Sequence, residues 1–424
     1  MFTVEPFVKL LRAVVTSYPG IFLNPVVDVL YLVVLGLVAA QYARVQSIEE
    51  RFYGRAKNKA FTQTLWGIGL GLLGGLIASV LLVMVGVTVS DAGVSYLLPI
   101  SLFLFLFSPR FLCFSYSGAL VSLSYLLFGW PKVNVQAIMA LVACLHAGES
   151  FLIRLSGSGC ATPIYMPGKN GRTVGGFLLQ RFWPVPLIVL FMVRVPDISQ
   201  LTGLIHLPDW WPLIKAPLTP GPGTPVFQMM PIVAALGYGD MATSVTPRQK
   251  AVETSRNLFL FSVILLGFSV AASRWTPFVW VAALFAPIGH EVVIRMGNRQ
   301  ESERDPRFVS DGEIVVLDVF EGTPAHAAGI RSDSRIIAVG GEEVRSREDL
   351  EAALAVPGDL VFTVIGPGED RPREILVRRK DTEPVGILPA PGIGDSPLAV
   401  PNNSGPLLMF LSRLAKRLTG GRAS

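Results

Sequence analysis

Residues 314–341 read Ile314-Val315-Val316-Leu317-Asp318-Val319-Phe320-Glu321-Gly322-Thr323-Pro324-Ala325-His326-Ala327-Ala328-Gly329-Ile330-Arg331-Ser332-Asp333-Ser334-Arg335-Ile336-Ile337-Ala338-Val339-Gly340-Gly341. A β-branched run predicts a strand over 314–320, and Gly322 and Pro324 punctuate the turn after it. Ala325 to Ala328 form one helical turn closed by Gly329, and a second strand ends at Gly340-Gly341. Further on, 360–365 and 374–379 alternate apolar and polar residues in part, as half-buried strands do. Ahead of both, Ser346 and Asp349 carry the spacing of a capping box in front of a helix bearing Leu350 and Leu354. A small α/β domain with a short-stranded antiparallel sheet and helices follows, over 308–390.

The rest of the chain is of another kind. Of 424 residues, 51% are hydrophobic and 16% charged, against about 25% charged in soluble domains, so most of the chain belongs in lipid. More than half of the Asp, Glu, Lys and Arg fall after Met296. The expected architecture is a polytopic α-helical membrane domain over 21–296, followed by the small α/β domain. Residues 1–20 read as an amphipathic interfacial helix stopped at Pro19-Gly20, and they lack the order of a cleavable signal. Residues 391–424 read as a flexible tail whose 406–418 segment forms a short basic amphipathic helix. Cys113, Cys144 and Cys160 have no metal-ligand spacing and read as small core hydrophobes. No metal or other cofactor is expected. No basic stretch interleaved with aromatics points to nucleic acid.

A spanning helix needs about 20 apolar residues. Runs at 26–43, 64–87, 92–108, 111–129, 133–153, 183–193, 225–242, 257–273 and 275–294 suggest about eight or nine spans. The run at 225–242, with Pro231, reads as crossing or re-entrant. Basic residues crowd 44–59, 154–181 and 248–256, which places those loops in the cytoplasm. The same alternation puts the C-terminal domain there, provided that 225–242 crosses. Trp210-Trp211 in the 195–224 loop read as an interfacial aromatic anchor.

Ionisable groups within spans are expensive and need a reason. His146 and Glu149 are three apart on one helical face and read as a polar contact that neutralises itself or bonds across helices. Asp240, after Gly237-Tyr238-Gly239, reads as a structural residue before a helix capped by Thr246 with Pro247 in its first turn. His290-Glu291-Val292-Val293-Ile294 covers part of the H-E-x-x-H pattern of zinc proteases, but Ile294 stands where the second ligand belongs.

The stretch at 314–341 and the elements after it resemble a bacterial, circularly permuted PDZ domain. That resemblance implies capture of an extended peptide between the helix bearing Leu350 and Leu354 and an edge strand. The acids of 309–313 would repel a peptide carboxylate, so Val385, Gly386 and Ile387 are the candidates for the carboxylate loop and edge strand. Three membrane-half stretches extend the likeness: His146-Ala147-Gly148-Glu149-Ser150, Gln180-Arg181-Phe182-Trp183-Pro184-Val185-Pro186 and Gly237-Tyr238-Gly239-Asp240. In order, and with a terminal PDZ-like domain, they resemble the MinJ-like family of Gram-positive division-site selection proteins. This implies a non-catalytic scaffold in the cell membrane, enriched at septum and poles, with DivIVA-like and MinD-like partners. The alternative is an intramembrane metalloprotease of the site-2 type, or a degenerate relative, whose PDZ domain delivers substrate. A transporter is supported by span number alone.

Overall fold

The computed structural model describes residues 4–89, 93–168, 171–215, 222–392, 394–397 and 407–408. The expected tail helix over 406–418 lies outside them, apart from Leu407 and Leu408. The N-terminal helix α1 (Glu5–Ser17) ends in a 3-10 turn at Tyr18–Leu23. Asn24 then starts α2 (Pro25–Tyr53), its Oδ1 accepting the Val26 and Val27 N–H at 3.1 and 3.4 Å, so free helix-end donors are satisfied. Next come α3 (Ala60–Val85), α4 (Leu97–Phe105), α5 (Phe114–Phe128) and α6 (Val135–Ser156). Strands β1 (Ala161–Pro167), β2 (Thr173–Val195) and β3 (Thr224–Ala242) follow, then α7 (Pro247–Ala272) and α8 (Pro277–Glu303).

Among the described residues five helices, α2, α3, α6, α7 and α8, are long and apolar enough to cross a membrane. The expected spans at 92–108 and 111–129 are shorter than read: α5 has 15 residues, about 22 Å at ~1.5 Å each, against a hydrocarbon core of about 30 Å. A larger correction concerns 183–193 and 225–242. Both are strands, β2 and β3, paired antiparallel from Phe177↔Ala242 to Val195↔Thr224. Most of β2 is buried, so its run of apolar residues carries no alternation that would separate strand from helix. Because the two runs form one hairpin, both leave the count of crossings together and the alternation of basic loops is unchanged.

The β2 edge turned away from β3 is sealed by helices. Strand alternation turns the backbone groups of residues 182, 184, 186, 188 and 190 to that side. Tyr42 Oη accepts the Phe182 N–H and donates to the Phe182 carbonyl, both at 3.0 Å. Pro184 and Pro186 have no N–H to satisfy. Tyr18 Oη donates to the Pro186 carbonyl at 2.9 Å, Ser79 Oγ accepts the Ile188 N–H at 2.8 Å, and the Leu190 carbonyl accepts the Val89 N–H at 2.9 Å.

The helix that makes this possible is α3, whose Gly67, Gly71, Gly75 and Ser79 recur every four residues. Four helical residues rise about 6 Å and two strand residues about 6.6 Å, so the stripe stays in step with alternate residues of β2. A Cβ on Gly71 would lie 2.1 Å from the Pro184 carbonyl oxygen, and one on Gly75 2.1 Å from that of Pro186. Only glycine admits this approach.

Thr246 caps α7 with a full capping box to Gln249 and Pro247 in the first turn, as the sequence predicts. Asp240 does not cap that helix; it anchors the end of β3 instead. It accepts from Thr254 Oγ1 at 2.6 Å and lies 3.5 Å from the buried Lys250 Nζ, which reaches Glu301 at 3.6 Å. Trp211 is also not a surface anchor: its ring is buried, and Nε1 donates to the Met84 carbonyl at 3.0 Å.

The C-terminal domain comprises β4 (Ile314–Val319), α9 (Pro324–Ala328), β5 (Arg335–Val339), β6 (Glu342–Glu343), α10 (Arg347–Ala355), β7 (Leu360–Ile365), β8 (Arg373–Val377) and β9 (Ile387–Pro389). Its sheet order is β8-β7-β5-β4-β9, with β6 beside β5. The Ser346–Asp349 capping box is present. Val316, Ile336, Leu350, Phe362 and Val377 form its own core.

This domain docks on the first half. Phe308 packs on Phe177 at 5.3 Å, and its carbonyl accepts the Gly175 N–H at 2.8 Å. Lys57 pairs with the buried Asp318, Arg55 lies 4.5 Å over the Phe320 ring, and Arg172 pairs with Asp311 at 3.0 Å. Burial holds the Asp318 carboxyl above the usual carboxylate range, and Lys57 opposes that. The buried Glu49 carboxylate sets the loop that carries Lys57, accepting from Lys57 N, Asn58 N and Thr162 Oγ1 at 2.8, 2.7 and 2.7 Å. Residues of two basic loops, 44–59 and 154–181, therefore meet the C-terminal domain.

Candidate functional sites

The first site is the outer edge of β9. It ends the sheet order, and it pairs with β4 on its inner side through Val319↔Ile387 and Asp318↔Leu388. The turn before it is held tightly. The Val385 carbonyl accepts the Ala325 N–H and the Gly386 carbonyl accepts the Phe320 N–H, both at 3.0 Å. Gly386 has φ +85°, and a Cβ there would lie 2.3 Å from Thr323 Oγ1, so both conformation and space require glycine. Val385 is buried, Ile387 is partly exposed, and Ile387 packs on the same core as Leu350 and Leu354 of α10. The five residues singled out in the sequence thus meet around one apolar core.

Gly386 and Ala390 both bond toward β4, so alternation turns Ile387 and Pro389 outward. Pro389 has no N–H, and its carbonyl is already taken: Tyr165 Oη, from β1, donates to it at 2.5 Å. Arg347 at the start of α10 donates to the same hydroxyl at 2.8 Å and pairs with Asp395 at 3.2 Å. Burial pushes the Tyr165 hydroxyl up to about 12, and the Arg347 cation opposes this, so it stays a donor at neutral pH. Nothing in the sequence signals that β1 closes one end of the groove. Among the described residues, the N–H and C=O of Ile387 are what remains open on the edge.

An added peptide strand needs such an edge beside a helix, with a glycine-bearing turn at its start. The PDZ domain family matches over residues 315–365. This region is a PDZ domain. The match stops before β9, so the turn and edge strand at 385–389 lie beyond it in sequence and join the domain through β4. A PDZ domain takes protein partners or protein substrates. No curated protein matches the chain.

The second site lies among the helices. Cys113, the N-cap of α5, has its Sγ 3.1 Å from His146 Nε2 on α6 and 3.7 Å from His290 Nε2 on α8. The ligand atoms of all three lie within 4.8 Å of one another. His146 Nδ1 lies 2.7 Å from the Val142 carbonyl, and Ser115 Oγ lies 3.4 Å from His146 Nε2. The Phe261 ring packs against both imidazoles at 5.5 and 5.8 Å.

Of the polar residues singled out in the sequence, His146 and His290 meet here. His146 turns to Val142 on its own helix and to Cys113 at the start of α5 instead of to Glu149, while Glu291 makes polar contacts with Arg110, Arg295 and Tyr116 at 3.3, 3.0 and 3.0 Å. Cys113 was legible only as a small apolar residue. It lies 33 positions from one histidine and 177 from the other, so no local spacing marks it.

Proposed function

We propose that this protein is a non-catalytic, membrane-anchored scaffold whose PDZ domain captures the C-termini of protein partners. The carrying observation is the open backbone of Ile387 beside a glycine turn, on a domain docked against helices able to span a bilayer. Because Tyr165 occupies the Pro389 carbonyl, the groove takes only the last few residues of a partner. Contact of the basic loops at 44–59 and 154–181 with the domain supports a cytoplasmic location for it by the positive-inside rule. The MinJ-like resemblance extends this to division-site selection, with DivIVA-like and MinD-like proteins as partners and enrichment at septum and poles. A hydrolytic role for His290-Glu291 is disfavoured because two arginines hold Glu291 and Ile294 offers no ligand.

The test has two arms. C-terminal peptides of DivIVA-like and MinD-like proteins are titrated against the full chain in nanodiscs, with Gly386→Val as the negative control. Binding abolished by that substitution supports the reading, and no binding overturns these partners. A fluorescent fusion gathered at septum and poles supports the cellular role, whereas an even membrane distribution contradicts it.

A further inference from the structure

The geometry points to a transition-metal site of the zinc type at Cys113, His146 and His290, which would clip α5, α6 and α8 together. A carbonyl only accepts, so the 2.7 Å contact with Val142 requires the proton of His146 on Nδ1. Its Nε2 lone pair then faces the sulfur.

His290 is oriented in a similar way. Its Nδ1 lies 3.4 Å from Tyr116 Oη, and Tyr116 donates to Glu291 Oε2 at 3.0 Å. The phenol oxygen therefore accepts from Nδ1, and Nε2 again faces Cys113. Without a cation, one thiol proton and a distant Ser115 hydroxyl would have to serve two imidazole lone pairs. A bound cation satisfies both imidazoles and the sulfur at once.

The distances agree with this. Zinc with S at about 2.3 Å and N at about 2.0 Å in a tetrahedron sets S···N near 3.5 Å, between the observed 3.1 and 3.7 Å. One thiolate and two imidazoles are a donor set that selects zinc-type ions over magnesium or calcium. The supporting groups also match those of held metal sites: a backbone carbonyl behind one histidine, and a Tyr116–Glu291 relay fixed by Arg110 and Arg295 behind the other. Cys113 Sγ accepts the Ser115 N–H at 3.4 Å, so the positive end of α5 also faces it. Ser115 Oγ lies 3.4 Å from His146 Nε2. Cys113 and His290 are partly exposed while His146 is buried, which leaves an entry path.

The probe is metal alone, added to the chelator-stripped full chain in nanodiscs. Cobalt(II) should give tetrahedral d–d bands with a thiolate charge-transfer band, and zinc should displace it. Cys113→Ser should remove the charge-transfer band, and Tyr116→Phe should weaken zinc binding about tenfold. A second measurement needs no variant: zinc should block maleimide labelling of Cys113 in the unaltered chain, where Cys144 and Cys160 are buried. Failure to take up cobalt or zinc, a charge-transfer band surviving in Cys113→Ser, or labelling indifferent to zinc would each overturn the site. None of these outcomes bears on peptide capture.

Discussion

Two stretches of sheet edge in the molecule, on β2 beyond the end of β1 and on β9, meet opposite fates. On β2, the Phe182 N–H and carbonyl, the Pro186 carbonyl and the Ile188 N–H are bonded by helix-borne side chains or Tyr18, the Leu190 carbonyl is bonded by Val89, Pro184 and Pro186 lack an N–H, and the Pro184 carbonyl is pressed against Gly71. On β9, one residue's N–H and C=O stay open, and a tyrosine from the other half covers the next carbonyl. An exposed edge invites another strand. The chain spends tyrosines, prolines and small residues on closing one edge and leaves the other short and available, so its capacity to bind is localised by what has been sealed.

Breaking the seal should have the largest effect. Gly71→Leu drives a side chain into the Pro184 carbonyl and should cost about 3 kcal/mol by overpacking, read by thermal unfolding in detergent. Gly69→Leu, one half-turn away with open space at its Cβ, should be close to neutral. If both substitutions behave alike, the stripe does not matter. Pro184→Ala introduces an N–H facing α3 with no acceptor and should cost about 2 kcal/mol; a neutral result would mean that edge is wetter than described.

The open edge is sharpened by smaller changes. Gly386→Val strains the turn and collides with Thr323, and should weaken peptide binding at least about tenfold, near 1.4 kcal/mol, by titration. The smallest effect is expected for Tyr165→Phe. Losing the hydroxyl that links Pro389 and Arg347 should cost about 1 kcal/mol of docking, seen as faster exchange at Phe308 and Gly175. It should also let longer peptides bind, because the Pro389 carbonyl becomes available.

The two edges also differ in how far the sequence announces them. Around β9 the local signals agree: β-branched runs, Gly329 after one helical turn, the Ser346–Asp349 box and Gly386 before an apolar pair all lead to the observed elements. Val385, Gly386 and Ile387 were singled out because a permuted domain needs a loop and an edge strand there; the strand itself runs Ile387–Pro389. Around β2 the signals conflict. Trp183 to Val193 is uniformly apolar, and burial on both sides removes the period-two pattern that betrays a strand. Pro184 and Pro186 argued against a helix interior, but their meaning depends on partners 110 or more residues away, on α3. A stripe of small residues one turn apart ordinarily signals a helix–helix contact, but here its partner is a strand. The Cys113–His146–His290 cluster shares that limit, since three helices converge on it and no local spacing announces it.

Residue-resolved hydrogen exchange on the unliganded full chain in nanodiscs tests the contrast most directly. The amides of Phe182 and Ile188, which have no strand partner but are bonded by Tyr42 and Ser79, should exchange as slowly as core helix amides. That of Ile387 should exchange rapidly. An Ile387 amide as protected as those of Phe182 and Ile188 would contradict the account, since the PDZ edge would then be closed and could not receive a peptide.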